Sequence, residues 1–191
     1  MKMAAVLQSM RVPFLVLTPV CVFLGASTVP TSETSISLLL LVLLGALLAH
    51  ISVNALNEYS DFKSGLDLAT TRTPFSGGSG ALPENPEMSG AVFTVGAMSL
   101  MATLTIGGFF IWKYGAGIVP IGVTGLILIV TYTDWINRYP FLCLVAPGIG
   151  FGFLMVVGTQ FVLQGEYVPL SVLVAVIPFF LVNNLLLLNQ Y

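Results

Sequence analysis

Apolar stretches long enough to cross a lipid bilayer recur six times along this chain, with almost no charge inside them. A membrane-spanning helix needs roughly 20 apolar residues. Runs that meet or approach this length cover about 12–30, 36–56, 90–112, 116–133, 141–163 and 169–190. Only 7% of the 191 residues are charged, against 57% hydrophobic. A water-facing globule has no use for so much apolar surface, because its outside must be solvated. The expected fold is therefore an all-α integral membrane protein of about six transmembrane helices in a single domain spanning 1–191. The net charge of −2 gives no basic surface for nucleic acid, so the bilayer is the expected partner. Cys21 and Cys143 both lie in apolar runs and read as buried structural thiols rather than a disulfide.

Short polar breaks separate most spans: Pro30 to Ser35, Lys113 to Gly115, Asp134 to Pro140 and Gln164 to Tyr167. The exception is a long polar connection over about 57–89. Lys- and Arg-rich loops stay on the cytoplasmic side. With six spans and a cytoplasmic N-terminus, Lys2, Arg11, Lys63, Arg72 and Arg138 share one face and Lys113 alone holds the other. The long connection, the Asp134–Arg138 loop and the C-terminus are thus expected on the cytoplasmic face, with the third and fourth spans forming a tight hairpin.

Chemistry-bearing residues gather where the second span meets that connection. At about 100° per residue, His50, Asn54, Asn57 and Asp61 fall in a stripe roughly 60° wide, flanked by Glu58. Polar groups aligned at a membrane boundary need water, partner helices or a ligand. Asp67 follows, and Gly65 is expected to loosen the backbone between Asp61 and Asp67. Like charges at Glu58, Asp61 and Asp67 repel, and a hard divalent ion such as Mg²⁺ would resolve the conflict while bridging to substrate phosphates. Singly, each residue reads as part of a helix end fraying into solvent; the aligned set favours a ligand. The following Thr71-Arg72-Thr73-Pro74-Phe75-Ser76-Gly77-Gly78-Ser79-Gly80 combines hydroxyls, an Arg and exposed backbone amides, the makings of an anion cradle.

Asn57-Glu58-Tyr59-Ser60-Asp61 with Gly65-Leu66-Asp67 resembles the first aspartate-rich motif of the UbiA-type aromatic prenyltransferases. The Arg72–Gly80 stretch is similar to the segment that follows this motif in the 1,4-dihydroxy-2-naphthoate polyprenyltransferase branch, which serves menaquinone biosynthesis. Arg11 and Pro13 resemble that family's opening, and Glu58 stands where the family often has Asp. The resemblance implies the first part of a nine-helix bundle in which two aspartate-rich motifs hold an isoprenyl diphosphate through Mg²⁺. The allylic diphosphate ionises, and the carbocation alkylates an aromatic or lipid-like acceptor. By that likeness Asn57, Asp61 and Asp67 are metal ligands, with Asp61 and Asp67 the catalytic pair. Asn57, Lys63, Arg72, Tyr132 and Arg138 are the expected diphosphate contacts. Tyr132 and Arg138 read equally as an interfacial aromatic and a topology-setting charge.

Asn189 resembles the leading Asn of the family's second motif, whose aspartates would lie beyond Tyr191. The chain is accordingly expected to be an N-terminal fragment that is inactive alone. The expected location is a multi-pass position in a prokaryotic plasma membrane. Two other classes compete: a small-solute or ion transporter, since polar residues and Gly/Pro-interrupted spans also mark substrate pathways, and a structural membrane subunit.

Overall fold

The computed structural model describes residues 2–69, 78–132, 135–136 and 139–190, and its regular elements are helical throughout. A short helix, α1 (Lys2–Ser9), is followed by a 3₁₀ turn, Val12–Val16, leading into α2 (Leu17–Ala26). The second span is α3 (Ile36–Ser64), then α4 (Leu66–Ala69), α5 (Ala81–Glu84) and α6 (Ser89–Tyr114). Next come α7 (Val119–Thr131) and α8 (Pro140–Gly148), which continues through a π-helical segment, Ile149–Met155, into α9 (Val156–Gln164). The last helix is α10 (Pro169–Gln190).

Among the described residues four helical runs are long and apolar enough to cross a membrane: Ile36–Ser64, Pro86–Thr131, Pro140–Gln164 and Pro169–Leu188. Met3–Ser9 with Val12–Ala26 makes a fifth if this pair, bent by 49°, is one span. The fold is the expected all-α membrane protein, but the count is not six. The difference arises at Pro86–Thr131, a run of 46 residues that takes in both the third and the fourth expected spans. Straight, it would extend about 69 Å, more than twice the hydrocarbon thickness. Gly115 turns it, at φ 67° and ψ −149°, a conformation open to glycine and closed to side chains with a Cβ.

Pairwise contacts show how the helices run. The Ser52 hydroxyl donates to Gly96 O at 3.0 Å, while farther along Ile106 meets Gly45, so α6 runs antiparallel to α3. Gly117 faces Phe161, Ile121 faces Gly158 and Leu154 faces Gly125, so α7 runs antiparallel to α9 and the π segment. Ser171 bonds Gln160 and Phe179 packs on Gly152, which makes α10 antiparallel to the same helix. Glycines at these crossings let backbones approach closely, the usual source of helix association where lipid removes the hydrophobic drive.

The bundle has two distinct ends. At one, Gln164 Nε2 donates to Glu33 Oε2 at 2.8 Å, Tyr167 donates to Gly117 O at 2.7 Å, and Tyr114 donates to Val162 O. Gln160, fully buried there, joins α9 to the start of α10 through Glu166 O, the Val168 amide and the Ser171 hydroxyl. At the other end lie α1, the C-terminal turns of α3, residues 78–88 and Tyr132. A core of Val6, Ala55, Leu82 and Val92 ties α1, α3, α5 and α6 together there.

The π segment has a local cause. Pro147 cannot donate a backbone hydrogen bond and its ring crowds the preceding turn, so the α-ladder is already interrupted where the wider turns begin. Cys21 and Cys143 are not joined in a disulfide; Cys21 is buried as expected, and Cys143 is half-buried.

Candidate functional site

The polar stripe on α3 lies on one helix because the helix does not stop where the apolar residues do. Ser35 caps its start, accepting from the Leu38 amide, and Gly65 closes its end at φ 79°. Asn57, Glu58 and Asp61 are therefore helical, and α4 begins immediately after Gly65 with Asp67 in its first turn.

The stripe divides into two parts. His50 is buried, with Nδ1 2.9 Å from the Thr18 hydroxyl and its ring set edge-on to Phe151 at 4.8 Å. Asn54 donates to Met10 O at 3.0 Å. These two bind α3 to its neighbours. One turn farther on, Asn57 Nδ2 donates to Asp61 Oδ2 at 2.7 Å. Asp61 and Asp67 are both buried, at 8% and 7% exposure.

Glu58 is fully buried and is engaged by the returning loop. Its Oε1 accepts from the Ser79 hydroxyl at 2.7 Å and the Ala81 amide at 3.1 Å, and its Oε2 accepts from the Ser79 amide at 3.1 Å. Hydrogen bonds to a charged acceptor are worth about 1.5–3 kcal/mol each, which offsets the cost of burying the carboxylate. Gly78 lies against Asp67: a Cβ placed there would come 2.7 Å from Asp67 Oδ1. Gly78 also has φ 78°, so both its conformation and its neighbour call for glycine.

Charges from several elements meet at Asp61. Asp67, Glu58 and Arg11 all lie within electrostatic reach of it, and Arg11 and Asp61 in turn reach the Tyr132 phenol. Tyr132 OH is 3.7 Å from Cys143 Sγ. Arg11 is half-buried and has φ 53°, the one positive-φ residue other than glycine among the described residues. A left-handed Arg is uncommon, and such strain persists only where the surroundings hold it.

Asn57, Asp61, Asp67 and Tyr132 are thus brought to one end of the bundle. Lys63 is not part of that group: it is exposed, with Nζ 5.6 Å from the Tyr59 ring centre, and two residues past Asp61 on a helix it points about 200° away. Arg72, Arg138 and the Thr71–Gly77 part of the anion cradle lie outside the described residues. Two features are added to the expected site. Arg11 was legible as a topology-setting cation and as part of the family's opening but not as a neighbour of Asp61, and the role of Glu58 depends on partners 21 and 23 residues away, which no local pattern signals.

Among the described residues no three His, Cys, Asp or Glu side chains are gathered as a closed cage for a metal. Mg²⁺ does not require one, since it takes one or two carboxylates and fills its remaining positions with water and substrate phosphates. Asp61 and Asp67, with the Asn57 side chain hydrogen-bonded to Asp61 and Arg11 within electrostatic reach, suit that kind of open, phosphate-completed site.

Comparison with curated proteins and with solved structures gave no match. Comparison with protein families did: the UbiA prenyltransferase family matches residues 16–191, a region that includes α2, α3 with its carboxylates, and every later helix. An all-α membrane bundle with acidic residues buried at one end therefore belongs to the UbiA prenyltransferase family.

Proposed function

We propose that this protein transfers an isoprenyl group from a polyprenyl diphosphate to an aromatic acceptor of the 1,4-dihydroxy-2-naphthoate type, with Mg²⁺ bound at Asn57, Asp61 and Asp67. Prenyl transfer to aromatic acceptors is the general activity of the family. The observation that carries the reading for this chain is the convergence of Asp61, Asp67, Arg11 and Tyr132 at one end of an otherwise apolar bundle.

That combination suits the substrate at both ends. The diphosphate head needs charge neutralisation, and the prenyl tail needs an apolar wall. Bound Mg²⁺ would neutralise negative charge building on the leaving diphosphate. Arg11 supplies a fixed positive charge on the same side, arranged in advance. Asn57 holds Asp61 in one orientation by its 2.7 Å hydrogen bond. The carbon–oxygen bond to the diphosphate breaks, the allylic carbon bonds to the ring, and the ring then gives up a proton. Apolar helices around the tail keep water from capturing the cation first. Tyr132 borders the site, while Lys63, turned to solvent, is left out of it. In this reading the polar end is cytoplasmic, in keeping with Arg11 and Lys63 at that end and Lys113 at the other.

The test is prenyl transfer by the full-length protein in membranes, with dihydroxynaphthoate as acceptor. Activity that requires Mg²⁺ and disappears with Asp61→Ala supports the reading. Activity unchanged by that substitution removes Asp61 from the site, and the absence of any diphosphate binding would return the transporter class to consideration.

A further inference from the structure

Glu58 is the most deeply buried of the acidic residues on α3 and α4, at 0% exposure, and its carboxylate is held by the returning loop. A carboxylate offers about four lone-pair sites, and three of those on Glu58 are taken by Ser79 and Ala81. The grip is aimed at backbone: two of the three donors are the Ser79 and Ala81 main-chain amides, and the third is the Ser79 hydroxyl. Ser79 is secured from a second side, because Gln8 Nε2 on α1 donates to its carbonyl at 2.7 Å. Gly78, one residue before this anchored point, packs against the Asp67 carboxylate. Asp67 in turn acts electrostatically on Asp61.

We propose that Glu58 is a positioning residue: by clamping Ser79 and Ala81 it seats Gly78 against Asp67 and so sets the placement of the Asp67 carboxylate relative to Asp61. Glu58 touches neither metal nor diphosphate. It acts through the loop, and its effect is to make the acidic pair ready for an ion before one arrives. The chemistry of the clamp requires a carboxylate. A glutamine has one acceptor oxygen for three donors, and its NH₂ would face the Ser79 amide. An aspartate keeps the charge but retracts it by one methylene.

The proposal rests on the reading of Asp61 and Asp67 as a divalent-ion site, and the test separates the two. Mn²⁺ titration of the purified full-length protein, followed by electron paramagnetic resonance, reads ion affinity without any turnover. Wild type, Asp61→Asn, Glu58→Gln, Ser79→Ala, the Glu58→Gln/Ser79→Ala double variant and Gly78→Ala are compared, with thermal unfolding measured on each. Residues that orient metal ligands change affinity about 10–100-fold when altered. Glu58→Gln, Ser79→Ala and Gly78→Ala are each expected to weaken Mn²⁺ binding about tenfold, with the double variant no weaker than Glu58→Gln alone. A residue that only supports the fold would lower the melting temperature and leave the affinity of the folded protein unchanged. Binding that Asp61→Asn abolishes and Glu58→Gln leaves intact overturns the positioning role while keeping the ion site. Wild-type binding that is absent, or indifferent to Asp61→Asn, overturns both. Should Glu58→Gln not fold, Ser79→Ala decides, and an unchanged affinity there contradicts the proposal.

Discussion

Asn57 and Asp61, one helical turn apart on α3, are joined by a 2.7 Å hydrogen bond from the amide to the carboxylate. The bond fixes the amide, so the orientation of each residue depends on the other. Asn57→Ala removes that constraint and leaves Asp61 free to rotate. Loss of such a bond costs about 0.5–1.5 kcal/mol of stability, a modest effect. The effect on function is larger: prenyl transfer is expected to fall about 10–100-fold, chiefly through a higher Mg²⁺ requirement. Activity measured against Mg²⁺ concentration checks this.

Arg11 and Lys63 give opposite predictions. Arg11 lies within reach of Asp61 and Tyr132, whereas Lys63 is exposed beside Tyr59. Arg11→Gly tolerates the left-handed backbone and removes only the charge, so a loss of diphosphate affinity would reflect electrostatics rather than strain. About tenfold weaker binding is expected, within the range of a lost charge-assisted hydrogen bond. Lys63→Ala is expected to change it less than twofold, as for an exposed charge. Isothermal titration with an isoprenyl diphosphate distinguishes the two.

Much of this site was legible because α-helical periodicity carries information along a single element. The spacing of His50, Asn54, Asn57 and Asp61 predicted a common face, and Gly65 marked where the helix would yield. The pattern does not tell which members of such a face bind neighbouring helices. His50 is held by Thr18, 32 residues earlier, and Asn54 by a carbonyl 44 residues earlier. Glu58 reads from the sequence as one more acid, because its loop partners lie 21 and 23 residues away. The helix count went astray for a similar reason. Lys113 to Gly115 marks a break between two apolar runs, and the chain stays helical up to Tyr114 and resumes helix directly after it, so the two runs fall within Pro86–Thr131. The π segment after Pro147 left only a cue in the sequence, a proline followed by glycines, which fits several structures equally well.

Packing at helix crossings separates stability from function. At Gly25 a Cβ would collide with Val156 O and the Thr159 side chain, while at Gly122 nothing lies within 4 Å. Gly25→Ala is expected to destabilise the protein by about 1–3 kcal/mol, the range for overpacking against backbone. Gly122→Ala is expected to be neutral or slightly stabilising, since it improves helix propensity without a clash. Thermal unfolding in detergent provides the comparison.

Gln160 allows the same separation from the far end of the bundle. Gln160→Leu would remove the hydrogen bonds to the Glu166 carbonyl and the Val168 amide, at about 0.5–1.5 kcal/mol for each. The melting temperature is expected to fall. Mn²⁺ affinity at the opposite end is expected to remain unchanged, because none of these groups reaches Asp61.

The central claim is that Asp61 belongs to an ion-dependent prenyl-transfer site. Its most direct test is Mg²⁺-dependent transfer of a labelled prenyl group by the full-length protein in membranes, wild type against Asp61→Asn at matched folded protein. Asp61→Asn is expected to lose about a hundredfold or more of the rate, since metal stabilisation of a leaving group is worth several kcal/mol. Equal rates for the two proteins, or wild-type transfer that persists after chelation of divalent ions, would contradict it.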